Sequence, residues 1–135
     1  MVKIRIHQKV NLGVKLMNEK FELFVGQENQ YYFHLLSPSG TNLSYSEGYT
    51  AKHNAENGIR SVKMNARNIS NFTIIKGVDG FYYFNLKAPQ NGEILLRSSR
   101  KYYTHEDANI GANQVSQYAP TATTSDLTAG LLNYV

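Results

Sequence analysis

A glycine interrupts an otherwise regular helical pattern in the stretch ENGIRSVKMNA, residues Glu56 to Ala66. Glycine inside a helix costs about 1 kcal/mol relative to alanine, so its presence needs a physical reason. Small and branched apolar residues recur here at spacings of three and four, which predicts one buried helix face. That face consists of Ala55, Gly58, Ile59, Val62 and Ala66. Gly58 therefore lies on the predicted buried side, where a missing side chain lets the helix backbone approach its neighbours closely.

The same arrangement occurs a second time along the chain. The first copy begins at Phe21 with FELFVGQENQYYFHLLSPSG, and the second begins at Phe72 with FTIIKGVDGFYYFNLKAPQNG. The copies realign in the helical stretch, where Gly111 falls on Gly58. A glycine that recurs at the same helical position favours a packing role over mere tolerance. The internal repeat predicts two copies of one structural unit.

Each copy is expected to contain three strands followed by one helix. Alternating apolar residues predict the first strand, and a short turn with glycine and Asp or Asn predicts a hairpin. Second strands are predicted at 31–36 and 82–87, and third strands near 43–47 and 94–99. Thr50 and Thr104 precede the helical stretches and are predicted N-caps. The pattern therefore predicts two β-β-β-α units.

Composition limits the classes of protein that this chain can represent. A chain of 135 residues suits one domain, or two small units that share a core. The absence of cysteine excludes disulfides, thiol catalysis and cysteine-ligated zinc. The sequence has no apolar run of membrane-helix length, and its first residues lack the apolar region of a signal peptide. We therefore expect a cytoplasmic protein of bacterial type.

The net charge of +4 is concentrated at the N-terminus. Within residues 1–20, the only acidic residue is Glu19, and the rest of the chain is nearly balanced. The basic residues of this segment are Lys3, Arg5, Lys9, Lys15 and Lys20. A basic chain suggests nucleic-acid binding, but here the suggestion applies to a short segment and not to the body of the protein.

One strand motif and one helix motif of the repeat resemble those of the YegP-like family, small bacterial and archaeal proteins whose repeat unit is a domain of unknown function. NLKA at 85–88 with NG at 91–92 fits the strand motif of that family, and GIRSVKMNA at 58–66 fits its helix motif. Each copy departs from the pattern in one half, with HLLSPSG in the first and GANQVSQYA in the second. The resemblance covers residues 20–119 and brings no catalytic residues.

The resemblance implies an α+β fold in which tandem β-β-β-α repeats form one antiparallel sheet with both helices on one face. Such a chain would be a pseudo-dimer in itself. The expected segments are a basic N-terminal extension at 1–19, repeats at 20–69 and 70–119, and a C-terminal tail at 120–135.

The two ends of the chain carry separate expectations. VKIRIH, residues 2–7, is expected as an extra edge strand. A competing hypothesis is that translation starts at Met17 and that residues 1–16 are an over-extended gene start, which mass spectrometry of the native protein would decide. In the tail, Ser125 is a potential helix cap, and either a short docked helix or a flexible tail is expected.

Strand alternation predicts a candidate binding surface on the sheet face that points away from the helices. Its candidate residues are Phe24, Tyr32, His34, Ile75, Tyr83, Asn85 and Lys87. Aromatic side chains beside Lys and Asn suit a platform on which bases stack, and equally a protein-docking surface. The plainer alternative is that Tyr and Phe simply favour strands and are partly covered by the termini.

No catalytic, cofactor or metal site is predicted. The four histidines lack metal-ligand spacing, and the glycine-containing turns lack the lysine and helix start of a phosphate loop.

The first functional hypothesis is a non-enzymatic protein-interaction module that uses the open sheet face for a protein partner or for self-association. The alternative is a single-stranded nucleic-acid binder that uses the sheet aromatics and the basic N-terminus, and the third is an enzyme with an unrecognised site. A membrane partner is not expected.

Overall fold

The computed structural model describes residues 18–128, and within them the chain forms seven strands and two helices. The strands β1 to β7 are Lys20–Val25, Tyr31–Leu36, Asn42–Tyr45, Phe72–Lys76, Tyr82–Lys87, Ile94–Ser98 and Thr123–Asp126. The helices are α1, Lys52–Asn65, and α2, His105–Tyr118. The strand expected at residues 2–7 and the proposed start at Met17 lie outside the described residues.

The two predicted β-β-β-α units lie side by side in one sheet, with the order β4-β5-β6-β3-β2-β1-β7. Their third strands meet at the centre, where β3 pairs antiparallel with β6 through Ser44 opposite Ser98 and Tyr45 opposite Arg97. The first six strands pair antiparallel with one another, as expected. The α+β class and the two-unit arrangement are thus confirmed.

Strand β7 corrects two expectations about the C-terminal segment. It pairs parallel with β1, which makes the complete sheet mixed and not purely antiparallel. Ser125 lies inside β7 and caps no helix, so residues 123–126 form neither the docked helix nor the flexible tail that were the alternatives, and residues 129–135 lie outside the described residues. The physical reason is that β1 presents an open backbone edge, and pairing with β7 satisfies its hydrogen-bonding groups. An ion pair of 2.6 Å between Lys52 Nζ and Asp126 Oδ2 attaches β7 to the start of α1.

Both helices pack on the same face of the sheet and share one hydrophobic core. The buried cluster joins Val62 of α1 and Val115 of α2 to Phe33 and Phe84 of the two second strands. A matching hydrogen bond occurs in each unit, because the backbone N–H of Phe33 donates to Ser46 Oγ and that of Phe84 donates to Ser98 Oγ. The core therefore spans both units.

The two helix glycines are buried because a tyrosine ring occupies the space that a side chain would fill. A Cβ on Gly58 would lie 2.6 Å from the hydroxyl oxygen of Tyr49 and 3.1 Å from Cε2 of Phe33. A Cβ on Gly111 would lie 2.7 Å from Cζ of Tyr102. Ordinary carbon contacts are about 3.5–4.0 Å, so neither position has room for a methyl group. This arrangement explains why the glycine recurs in both copies.

The helix starts agree with the predicted caps in one case only. The side chain of Thr104 accepts a hydrogen bond of 3.0 Å from the backbone N–H of Asp107, which confirms that cap. The prediction for Thr50 is wrong, because α1 begins one residue later, after Ala51, and has no side-chain cap.

Candidate binding surface on the open sheet face

The sheet face opposite the helices carries a continuous row of side chains that crosses six strands. The register places Thr73 opposite Asn85, Asn85 opposite Arg97, and Arg97 opposite Tyr45. The row continues from Tyr45 to His34 and from His34 to Glu22. Because cross-strand partners point to the same face, residues of both units share this surface.

The second unit contributes most of an open groove on this surface, with a volume of about 810 Å³. Its polar and aromatic lining comes from β3, β5 and β6 and from the segment that follows β6. Its principal lining residues are Tyr45, Ile75, Tyr83, Asn85, Arg97, Ser99, Arg100, Lys101 and Tyr103. None of the residues that line the groove carries a carboxylate.

The three cations of the groove differ in how far they are engaged. Arg97 forms an ion pair of 2.8 Å with Glu47, which is exposed. Arg100 lies over the ring of Tyr102, 5.8 Å from its centroid. Lys101 Nζ lies 4.1 Å from the ring centroid of Phe81. Both side chains are exposed, but the Tyr102 ring packs against Gly111 of α2, so the guanidinium of Arg100 lies on the helix side of the sheet. Lys101 keeps its charge at the groove, and its cation–π contact leaves its hydrogen-bond donors free for a ligand.

Tyr83 is fixed in place at one end of the groove. Its hydroxyl donates a hydrogen bond of 2.6 Å to Asp79 Oδ2, and Gly77 leaves room for the ring, since a Cβ there would lie 3.0 Å from Tyr83 Cε2. This hydrogen bond lowers the pKa of Asp79 and raises that of Tyr83. Tyr83 therefore presents a pre-positioned ring.

Tyr103 and Tyr45 supply the exposed aromatic surface of the groove. The exposed fraction is 79% for Tyr103 and 44% for Tyr45. Tyr103 packs edge-to-face against Phe81 with ring centroids 5.3 Å apart. Because the side chain of Tyr103 is mostly free, its ring is available to a ligand.

The first unit carries a smaller pocket of about 250 Å³ on the same face. Phe24 and Tyr32 stack on each other there with centroids 6.0 Å apart, and Gly26 lies beneath the Tyr32 ring. Tyr45 lines this pocket as well as the groove. No cation lines the pocket, so the two halves of the face differ in chemistry.

His34 belongs to a chain of hydrogen bonds that joins β1, β2, β3 and the residue after β6. Ser99 Oγ donates to Asn42 Oδ1 at 2.6 Å, and Asn42 Nδ2 donates to His34 Nδ1 at 3.3 Å. His34 Nε2 then donates to Glu22 Oε1 at 2.7 Å, which lowers the pKa of Glu22. The Ser99 hydroxyl is thus bonded to an amide and not to a base, and both nitrogens of His34 are engaged.

The structure brings three of the seven candidate residues together in the groove: Ile75, Tyr83 and Asn85. Phe24 and Tyr32 line the separate pocket of the first unit. His34 is held in the hydrogen-bond chain, and Lys87 lies on the same strand as Asn85 but beyond the groove. Whether any of them binds a ligand stays a prediction.

Sequence reasoning missed five groove residues that the structure makes prominent. They are Tyr45, Arg97, Arg100, Lys101 and Tyr103. The available signal was the run RSSRKYY at residues 97–103, which places three cations and two tyrosines within seven positions. Basic residues interleaved with aromatics are typical of surfaces that bind nucleic acid.

The described residues contain neither a metal-binding cluster nor a membrane-spanning helix. Among residues 18–128, no group of three or more His, Asp or Glu side chains is arranged to hold a metal ion. Neither of the two described helices is long and apolar enough to cross a membrane.

These features define a two-unit α+β protein with an open, aromatic and cationic sheet face. The pattern of the family described as "Domain of unknown function (DUF1508)" matches residues 27–70 and 78–126, which is more than half of the chain. The chain is 33% identical to the UPF0339 protein YegP of Escherichia coli K12, over 80% of this chain and 96% of that protein. It is also 33% identical to the UPF0339 protein PA0329 of Pseudomonas aeruginosa, over 82% and 98% of the two chains. The chain therefore belongs to the DUF1508/UPF0339 YegP family.

Two solved structures have the same fold. The solution NMR structure of the protein of unknown function yegP from E. coli matches with a TM-score of 0.74 and 34% identity, covering 83% of this chain and 95% of that chain. The solution NMR structure of the UPF0339 protein SO3888 from Shewanella oneidensis matches with a TM-score of 0.72 and 32% identity, covering 82% and 92%. The resemblance identified from the sequence is thereby confirmed.

Proposed function

We propose that this protein is a non-enzymatic interaction module that holds an acidic macromolecular partner in the groove of the open sheet face. The observation that carries the proposal is the composition of the groove, where the cations Arg97 and Lys101 lie beside tyrosine rings and no lining residue is acidic. Such a surface attracts a negatively charged partner over long range and then offers flat apolar contact area. The proposal includes the cytoplasmic location expected from the sequence.

The non-enzymatic part of the proposal is supported by how the reactive groups are used. His34 and Ser99 are linked through Asn42 in one hydrogen-bond chain, so neither is positioned as a base beside a nucleophile. The groove is also wide and open, whereas catalytic sites enclose the reacting atoms and exclude water.

The test measures binding of two labelled polyanions, poly-L-glutamate and an oligothymidylate, by fluorescence anisotropy at low salt. We expect at least one of them to bind the full chain, and the double variant Arg97→Ala/Lys101→Ala to bind it more weakly. The matched control is Arg60→Ala/Arg67→Ala, which removes two exposed cations from α1 and its C-terminal end. The proposal is wrong if neither polyanion binds, or if the control pair weakens binding as much as the groove pair.

Charge at the N-terminus needs a separate control. A full-length variant with Lys3, Arg5, Lys9 and Lys15 replaced by glutamine removes the basic excess of that segment. If this variant loses all binding while the groove variant keeps it, the N-terminal charges act alone and the groove has no role.

A further inference from the structure

We infer that the acidic partner is a single-stranded nucleic acid whose bases lie on Tyr103, Tyr83 and Tyr45 while a phosphate contacts Lys101. This inference rests on the proposed function and specifies the chemistry of its ligand. It uses the distribution of rings and charges within the groove, which suits a ligand that alternates flat rings with anions.

The rings are arranged to receive bases that are not stacked on each other. Tyr83 lies on β5 and Tyr45 on β3, two strands away, and the register offsets them by two residues along the strands. Strand spacing and rise then separate their Cα atoms by about 12 Å. Successive bases in a regular helix are only about 3.4 Å apart, so a bound strand must be opened out, which a single strand permits and a duplex resists.

Lys101 lies at the edge of this ring platform and not beneath it. It belongs to the segment that connects β6 to α2, two residues before Tyr103, and its Nζ lies 4.1 Å from the ring centroid of Phe81, against which Tyr103 packs. A strand whose bases rest on the sheet directs its phosphates outward, where Lys101 has donors available. Phosphate contacts of this kind hold the strand in position without selecting a sequence.

An acidic protein is the less suitable occupant of the same groove. Protein interfaces obtain most of their binding energy from anchors in well-packed apolar pockets that exclude water. The mostly apolar pocket on this face belongs to the first unit and is lined by Phe24 and Tyr32, with no cation among its lining residues. A protein partner would therefore depend on Phe24 and Tyr32, whereas a nucleic acid would depend on Tyr103 and Lys101.

The deciding experiment titrates the full chain with a labelled single-stranded oligothymidylate, its RNA counterpart, and a duplex of matched length, in increasing salt. We expect the single strands to bind more tightly than the duplex. Tyr103→Ala should weaken single-strand binding roughly 5- to 150-fold, as for loss of one stacked base. Because Tyr103 is 79% exposed, its replacement should leave the fold intact, which circular dichroism will verify.

The salt dependence separates stacking from simple charge attraction. For single strands, log K falls against log salt with a slope of about −0.7 per neutralised phosphate. Lys101→Ala should therefore reduce the magnitude of the slope by about 0.7, while Tyr103→Ala should leave the slope unchanged. Met64→Ala, an exposed apolar residue on α1, is the matched control and should alter neither affinity nor slope.

Three results would overturn the inference. The first is binding of poly-L-glutamate but not of any oligonucleotide, which leaves the proposed function standing and excludes this ligand. The second is equal affinity for the duplex and the single strand, which excludes stacking on the tyrosines. The third is oligonucleotide binding that survives Tyr103→Ala unchanged and is weakened by Tyr32→Ala, which places the strand in the apolar pocket of the first unit and not on the groove tyrosines.

Discussion

Replacing Gly58 by alanine should destabilise the protein, although alanine is the better helix former. The substitution gains about 1 kcal/mol from helix propensity. The new methyl carbon, however, would lie 2.6 Å from the Tyr49 hydroxyl oxygen and 3.1 Å from Phe33, which is fully buried. The Tyr49 ring cannot retreat freely because it stacks on Phe33 with centroids 6.1 Å apart.

The expected magnitude follows from these two opposing effects. Overpacking of a well-packed core costs about 1–3 kcal/mol, so the net loss for Gly58→Ala is about 0–2 kcal/mol. Tyr49→Phe removes the oxygen nearest to the new methyl group and leaves Cζ at 3.0 Å. In that background Gly58→Ala should be about 1 kcal/mol less harmful than in the wild type, and the two substitutions are therefore coupled.

Urea unfolding of the two single variants, the double variant and the wild type measures this coupling directly. Asn54→Ala, at an exposed position of α1, is the control and should stabilise the protein by about 0.5 kcal/mol through propensity alone. Leucine at Gly58 should cost several kcal/mol because it adds volume that the core cannot accept. If Gly58→Ala stabilises the wild type by the full propensity gain, or costs the same in both backgrounds, the tyrosine does not explain the glycine.

Two further predictions concern the shared core and strand β7. Residues 17–69 expressed alone should be unfolded or should dimerise, because β3 would lose its partner β6 and the core would lose its second half. Analytical ultracentrifugation with circular dichroism measures the association and folding of this fragment. A stable folded monomer would contradict the prediction. The hydrogen bond from Lys52, together with those from Thr128, lowers the pKa of Asp126 to about 2 from about 4 in the unfolded chain. Because the folded-state pKa is depressed, the stabilisation is complete above about pH 4 and is lost as the pH falls towards 2. The stability difference between wild type and Asp126→Asn should shrink over that interval in urea unfolding, and a difference that is constant down to pH 2 would show that the ion pair is unimportant.

The candidate site was only partly predictable from the sequence. Strand alternation placed Ile75, Tyr83 and Asn85 on the open face, because the direction of a strand side chain follows from its position alone. The same rule could not show that His34 is engaged by Glu22 and Asn42, since these partners come from different strands. Exposure of a residue on a sheet face depends on its cross-strand neighbours, which the sequence of one strand does not contain.

The sequence by itself determined the repeat, the two β-β-β-α units and the buried position of Gly58. These features depend on periodicity, turn residues and helix caps, which act over a few residues and are therefore visible locally. Only the tertiary structure decided that residues 123–126 pair with β1, because that pairing joins segments about one hundred positions apart and satisfies a backbone edge that no local pattern reveals. The tertiary structure also determined which residues line the groove, since Tyr45 of the first unit lies beside Arg97 of the second only because β3 pairs with β6. The local pattern thus specified the units, and long-range strand pairing specified the surface that they form together.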